Sequence, residues 1–215
     1  MWSNTVYDRV AWLSAGSRKA TTGAWICFMP ETKIDRYPQF AVNGIPAPSV
    51  SDILDLYFPP SNYYTEEGRE DGHFRHEWYA FLAQGGVEEV SPYDKIKPAV
   101  DGFKKFLAEV KPVYKSGEIP YFHPTLRYCG TPDAVMEIGG RLSIVDYKPK
   151  AKQKRTMLQT ALYYLLLRAN GIMVLDRFEV RLYDGIYRME KHDDPQDMRR
   201  AEIMVAAFQA AQFYK

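Results

Sequence analysis

At 215 residues, with 46% hydrophobic and 26% charged side chains, the chain has an ordinary globular composition and is long enough for one domain burying about 70% of its unfolded surface. With 28 basic against 27 acidic residues the net charge is +1, which excludes a surface that is basic all over and leaves room for a local basic track. Two cysteines, Cys27 and Cys129, are too few for a disulfide framework or a four-cysteine iron–sulfur cluster. No apolar run approaches a membrane span, and Asp8 and Arg9 interrupt the region where a signal peptide would need an apolar core, so a soluble cytoplasmic protein without a membrane partner is expected.

Residues 1–29 carry tryptophans among polar residues with no firm period and receive no assignment. Tyr37 to Val42 reads as a strand, followed by a short helix capped by Ser49 or Ser51, with Ile53, Leu54 and Tyr57 as buried positions, ending at Phe58-Pro59-Pro60-Ser61-Asn62. A second helix from about Glu70 to Gly85-Gly86 turns Phe74, Trp78, Phe81 and Leu82 toward a core. On it Gly72, His76 and Ala80 fall four apart and share another face, so His76 borders a small-residue ridge and could, as a neutral imidazole, ligate a metal or contact a phosphate. His73 reads as a surface residue. Asp94 to Val110 repeats Ile96, Val100, Phe103 and Leu107 at helical spacing and is scaffold. Glu118 to Arg127 reads as an extended segment, in which Glu118 is better taken as a surface strand residue than as another acid of a site.

The most informative stretch follows. Ala134 to Ile138 and Arg141 to Tyr147 read as strands joined by Gly139-Gly140, a pair that accepts the positive φ angles of a two-residue hairpin turn. That turn sets Ile138 opposite Arg141 and, counting back, Ala134 opposite Val145 and Asp133 opposite Asp146. Opposed residues lie roughly 5 Å apart on one sheet face, which Lys148 shares. Two facing carboxylates call for a compensating cation, and Mg²⁺ or Mn²⁺ suits them, with Lys148 placed to orient an attacking water or to stabilise charge on a phosphate. Lys150, Lys152, Lys154 and Arg155 then form a basic loop suited to phosphates. Thr156 to Asn170 is a strong helix with Leu158, Leu162, Leu165 and Ala169 on its apolar side, and Gln159 and Tyr163 lie one turn apart. Arg177 to Tyr183 alternates Phe178, Val180 and Leu182 against Arg177, Glu179 and Arg181, turns at Asp184-Gly185 and returns to Glu190 as a half-buried hairpin. Asp194-Pro195 opens a terminal helix with Met198, Ala201, Val205 and Phe208, and this last third shows no catalytic constellation.

Four elements in order carry a resemblance: Gly72-His73-Phe74-Arg75-His76, Gly130-Thr131-Pro132-Asp133, Asp146-Tyr147-Lys148 and Gln159-Thr160-Ala161-Leu162-Tyr163. Together they resemble the PD-(D/E)xK nuclease superfamily, in its RecB-like and phage exonuclease branch, over about residues 68 to 167, with a weaker echo from Ala47 to Leu54. The resemblance implies an α/β fold, a central mixed β-sheet flanked by helices with a restriction-endonuclease-like core at about residues 68–170, inside a single domain spanning 1–215. It implies a Mg²⁺- or Mn²⁺-dependent deoxyribonuclease acting from a DNA end in recombination, repair or phage DNA processing, located in the cytoplasm or, if phage-encoded, the host-cell interior. Asp133 and Asp146 would hold metal, with the Tyr147 carbonyl and His76 as further ligands. Lys148 would assist the water, and Gln159, Tyr163 and His76 would complete the pocket. A non-cleaving nucleic-acid-binding module of the same fold and a structural interaction domain stand as the alternatives, and exonuclease versus endonuclease action, polarity, strand preference and oligomeric state are open.

Overall fold

The computed structural model describes residues 34–35, 40–59, 65–87, 91–151 and 155–213. The unassigned N-terminal segment, the first residues of the expected Tyr37–Val42 strand, and Lys152 and Lys154 lie outside them. A small antiparallel meander of β1 (Ile34–Asp35), β2 (Ala41–Val42) and β3 (Ile45–Pro46) leads into α1 (Val50–Tyr57). Ser49 is the cap of α1: its hydroxyl accepts from the Asp52 amide at 3.0 Å while the Asp52 carboxylate accepts from the Ser49 amide at 2.7 Å, a reciprocal capping box. Val50, Ile53 and Leu54 are buried, but Tyr57 is 40% exposed, because its ring extends to the surface to donate to the Met204 carbonyl at 3.3 Å.

Helix α2 (Glu66–Ala83) starts four residues before the expected Glu70, since the Thr65 hydroxyl accepts from the Gly68 amide and caps it there. Its buried aromatic is Tyr79, packed 4.8 Å from Phe103 and 5.0 Å from Tyr147 between ring centroids, whereas Phe74 and Phe81 stay exposed against their expected core positions. Periodicity marked an aromatic stripe, and the docking partners chose which edge of it to cover. Phe74 instead meets Tyr93 edge-on, and Phe81 meets Trp78. Helix α3 (Lys97–Val110) begins with Pro98 in its first turn and buries Val100, Phe103 and Phe106. It starts later than Asp94 because residues 94–96 form a turn ahead of it.

The chain then lays down β4 (Val113–Ser116), β5 (Tyr121–His123), β6 (Tyr128–Gly130), β7 (Ala134–Ile138) and β8 (Arg141–Lys148), crosses over through α4 (Thr156–Ala169), and returns as β9 (Asp176–Tyr183), β10 (Ile186–Lys191) and α5 (Gln196–Phe213). The central sheet has the order β10-β9-β8-β7-β4, parallel only between β8 and β9, so the expected mixed sheet flanked by helices is present. Strands β5 and β6 pair separately, so Glu118–Arg127 is a loop, a three-residue strand and a turn rather than one extended segment.

The hairpin register matches the sequence expectation from Ile138↔Arg141 to Ala134↔Val145, with φ of 57° and 76° at Gly139 and Gly140. Along β8 the side chains alternate between two cores. Ile144 joins Ile53, Leu162, Leu166 and Val205 under α1, α4 and α5, while Val145 and Tyr147 join Val100, Phe103 and Phe106 under α3. Strand β9 departs from expectation. Lying between β8 and β10 with both faces covered, it buries Glu179 completely and Arg177 to 5% exposure, although alternation had placed both toward solvent. Arg177 is compensated by Asp197 of α5 at 3.1 Å and by the Met157 carbonyl at 3.0 Å. Among the described residues no helix is long and apolar enough to cross a membrane.

Candidate active site

Asp146 lies at the inner end of the α4-facing row of β8, and its carboxylate is fully buried. Lys148, next in the same row, places Nζ 2.6 Å from Asp146 Oδ2, and apart from this ion pair neither Asp146 oxygen has a hydrogen-bond partner among the described residues. Burial pushes the Asp146 carboxyl above its ordinary value; Lys148 opposes this and the Asp133 charge adds to it. Burial works against the Lys148 ammonium, but Asp146 and Asp133 outweigh it and hold that group above its ordinary range.

Asp133 stands one residue beyond the last hairpin pair, and its Oδ2 accepts from the Tyr147 amide at 2.8 Å, so the carboxylate itself closes the end of the ladder. A loop brings the third acid. Gly117 sits so close to the Asp133 carbonyl that a Cβ there would approach it to 2.5 Å, and the next residue, Glu118, takes φ of 55° while its amide donates to the Pro132 carbonyl at 3.1 Å. This geometry turns the Glu118 side chain inward, to 3.3 Å from His76 Nδ1, and Asp133 Oδ1 lies 3.5 Å from the same nitrogen. Glu118 is therefore part of the site and not the surface strand residue expected of it. Its one sequence signal was the Ser116-Gly117 break directly after a strand. The ligand atoms of His76, Glu118 and Asp133 lie within 4.8 Å of one another. Burial opposes charging of His76, but Asp133 and Glu118 prevail and raise its pKa.

Helix α4 supplies the neighbouring wall. Gln159 Nε2 donates to the Tyr163 hydroxyl at 3.3 Å, and Tyr163, 5% exposed, fits only because residue 130 is glycine: a Cβ there would come 2.7 Å from Val50 Cγ2 and 3.0 Å from Tyr163 Cε1. An open cleft of about 830 Å³ runs over the site. Lys148, Gln159 and Arg155 line one side of it, and α2 contributes Arg69, Gly72, Arg75 and His76. Arg69 and Arg75 were given no role from the sequence. Arg155 also pairs with Asp55 at 2.7 Å. Lys150 does not line the cleft; it pairs with Asp184 at 2.7 Å and lies 5.3 Å from the centre of the Tyr183 ring.

Gly72 has no packing reason to be glycine, since a Cβ there would meet nothing within 4 Å. Replacing it by alanine in this helix interior should therefore stabilise the protein, by about 0.5–1 kcal/mol, read as a raised thermal unfolding temperature. Gly72→Leu should keep the fold and obstruct the cleft.

The sequence profile of the PD-(D/E)XK nuclease superfamily matches residues 50–213, and the chain belongs to that superfamily. No curated protein matches it in sequence. Among solved structures it is similar to LHK-Exo in complex with dAMP, at 15% identity and a TM-score of 0.42 over 77% of this chain and 87% of that one. A second LHK-Exo structure, described as an alkaline exonuclease from Laribacter hongkongensis, gives 15% and 0.39 over 76% and 86%. A protein from Eubacterium rectale with a provisional exonuclease designation gives 13% and 0.43 over 75% and 71%.

Proposed function

We propose that this protein is a divalent-metal-dependent nuclease hydrolysing DNA phosphodiester bonds from a free end, with residues 1–215 forming a single cytoplasmic or host-interior nuclease domain. The observation that carries the reading is the convergence of His76, Glu118 and Asp133 within 4.8 Å, with the buried Asp146 paired to Lys148 and with His76 and Lys148 lining a cleft shared with Arg69, Arg75 and Arg155. Oxygen donors with one imidazole fit Mg²⁺ or Mn²⁺, and a buried carboxylate whose only partner among the described residues is a lysine fits a site that expects a second cation. Asp133, Asp146, Glu118 and His76 would hold the ion, with the Tyr147 carbonyl as a further candidate ligand. When bound, such an ion supplies Lewis-acid polarisation of the phosphate.

The remaining work belongs to the chain. Lys148 presents its ammonium at the place where charge develops on the phosphate oxygens. Gln159 and Tyr163 orient the reacting group, and the arginines of the cleft hold the flanking phosphates. Action from an end is the part of the reading that the resemblance of Gln159…Tyr163 to the phage exonuclease motif supports. Incubating the protein with end-labelled linear, circular and single-stranded DNA, in Mg²⁺, Mn²⁺ or chelator, tests it: linear DNA is shortened only with metal and circular DNA survives. No loss of any substrate in either metal would refute the nuclease reading.

The basic track is tested by salt. Each phosphate-binding cation removed should lower the slope of log affinity against log salt by roughly 0.7–0.9, so Arg69→Ala combined with Arg75→Ala should flatten it by up to about 1.8. Lys150→Ala should change it little, because that ammonium is engaged by Asp184. The reverse ranking would move the track to the Lys150–Arg155 loop.

A further inference from the structure

Directly beneath the site lies a charged group for which the roles assigned above leave no use. In the parallel pairing of β8 with β9, Asp146 is the register partner of Glu179 and Lys148 of Arg181, so all four side chains stand on the α4-facing side of the sheet. Glu179 and Asp146 are both fully buried. Within β9, Arg181 Nε lies 3.3 Å from Glu179 Oε1, as Lys148 pairs with Asp146 within β8. Each strand thus carries its own acid and base, and the two acids lie side by side across the pairing.

Glu179 reaches further than its strand. His192 Nε2 lies 4.0 Å from Oε2, and His192 Nδ1 lies 3.2 Å from the Thr160 hydroxyl of α4, which donates to the Met157 carbonyl at 3.0 Å. Among the described residues neither carboxylate oxygen accepts a hydrogen bond, and burial raises its pKa above the ordinary value. A buried acid so weakly satisfied is a poor device for stability, and a glutamine or an apolar side chain would fill the same space at lower cost. Being fully enclosed, it cannot touch a substrate. What it does touch is Arg181, the base beside Lys148, and His192, which reaches the helix that carries Gln159 and Tyr163.

We propose that Glu179 is a positioning residue: with Arg181 it sets where Lys148 and the first turn of α4 stand relative to Asp146, and so governs the rate of hydrolysis without contacting substrate or metal. Of the acidic groups acting on Lys148, Asp146 and Asp133 belong to the proposed ligand set and Glu179 does not. When a cation takes the charge of the first two, Glu179 remains as the anchor that keeps the ammonium in register with β9. The same carboxylate, through His192 and Thr160, reaches the Met157 carbonyl in the turn in which the Leu158 and Gln159 amides donate to the Arg155 carbonyl at 3.1 and 2.9 Å.

This inference rests on the nuclease reading, and its test separates the two. Glu179→Gln keeps the volume and removes the charge, and Arg181 keeps Glu190 at 3.4 Å, so the variant leaves no orphaned cation. In chelator it should unfold at or above the parent's temperature, while hydrogen exchange at the Leu158 and Gln159 amides speeds up by at least about threefold and the rest of α4 is unchanged. With Mn²⁺ and linear DNA, kcat should fall by about 10- to 100-fold with KM within about twofold, and Mn²⁺ affinity by titration should stay within about threefold of the parent's. Glu179→Asp, which restores the charge, should recover part of kcat. Unchanged exchange at the first turn of α4 overturns the proposal even if the parent cleaves nothing, an outcome that would by itself refute only the nuclease reading. A parent-like kcat in Glu179→Gln also overturns it, as does a loss of kcat that comes with a lowered unfolding temperature and no rescue by aspartate.

Discussion

Asp146→Asn should lose cleavage by at least about 10²- to 10³-fold, the scale on which electrostatic stabilisers of a transition state act, while the metal-free protein becomes more stable. The two effects have one cause. The carboxylate is fully enclosed and its one partner among the described residues is Lys148, so burial lifts its pKa above the ordinary value. A carboxyl whose folded pKa exceeds its unfolded one is held best in the protonated form. Its favourable contribution is complete below the unfolded value, near 3.9, and is lost as pH rises through the folded one, so at pH 7 the ionised group costs stability. Asparagine copies the shape of the neutral acid, and Lys148 keeps Asp133 and Glu179 as charged neighbours. Thermal unfolding in chelator should therefore show the variant above the parent at pH 7, with the gap shrinking toward pH 4. Added Mn²⁺ should stabilise the parent and leave the variant nearly unmoved. A variant that melts below the parent at pH 7 would mean that the Lys148 ion pair outweighs the burial. Full cleavage by it would move the chemistry elsewhere.

The hairpin was legible because two constraints coincide there. Gly139-Gly140 is a pair that tolerates positive φ at both turn positions, and once the turn is set a period of two leaves one register compatible with the apolar runs on either side. Ser49 and Asp52 declared the start of α1 in the same way, through chemistry within four residues. Glu118 was not legible, because its approach to His76 joins a loop to a helix 42 residues earlier and depends on the left-handed turn after Gly117. Arg69 and Arg75 look like any solvated helix charges until β8 and α4 close the other side of the cleft. Strand β9 shows the limit of alternation. The pattern separates an apolar face from a polar one, but it does not say whether water or another helix covers the polar face, and here α4 and α5 bury Arg177 and Glu179. The buried charges beneath the site were hidden for that reason.

The second large effect separates holding the metal from placing the substrate. Asp133→Ala should lose metal affinity and cleavage together, because its carboxylate meets His76 at 3.5 Å on one oxygen and accepts the Tyr147 amide at 2.8 Å on the other. Removing it takes away a ligand and releases the strand end that fixes Asp146 and Lys148. Gln159→Ala and Tyr163→Phe should behave differently. Neither side chain is a preferred ligand for Mg²⁺, and the Gln159 amide is held by the Tyr163 hydroxyl at 3.3 Å, so each variant loses one half of a positioning pair and leaves the acids in place. The hydroxyl removed in Tyr163→Phe is buried but bonded to a residue that lines the cleft, so the fold should tolerate the change. Calorimetric Mn²⁺ titration should then give parent-like affinity for the α4 variants, while their single-turnover cleavage slows by about 10- to 100-fold. Glu118→Gln should fall with Asp133→Ala in losing affinity, since Glu118 reaches the same His76 nitrogen at 3.3 Å. A Gln159 variant that lost metal while the Asp133 variant kept it would invert these roles and place the metal against α4 instead of against α2 and the Glu118 loop.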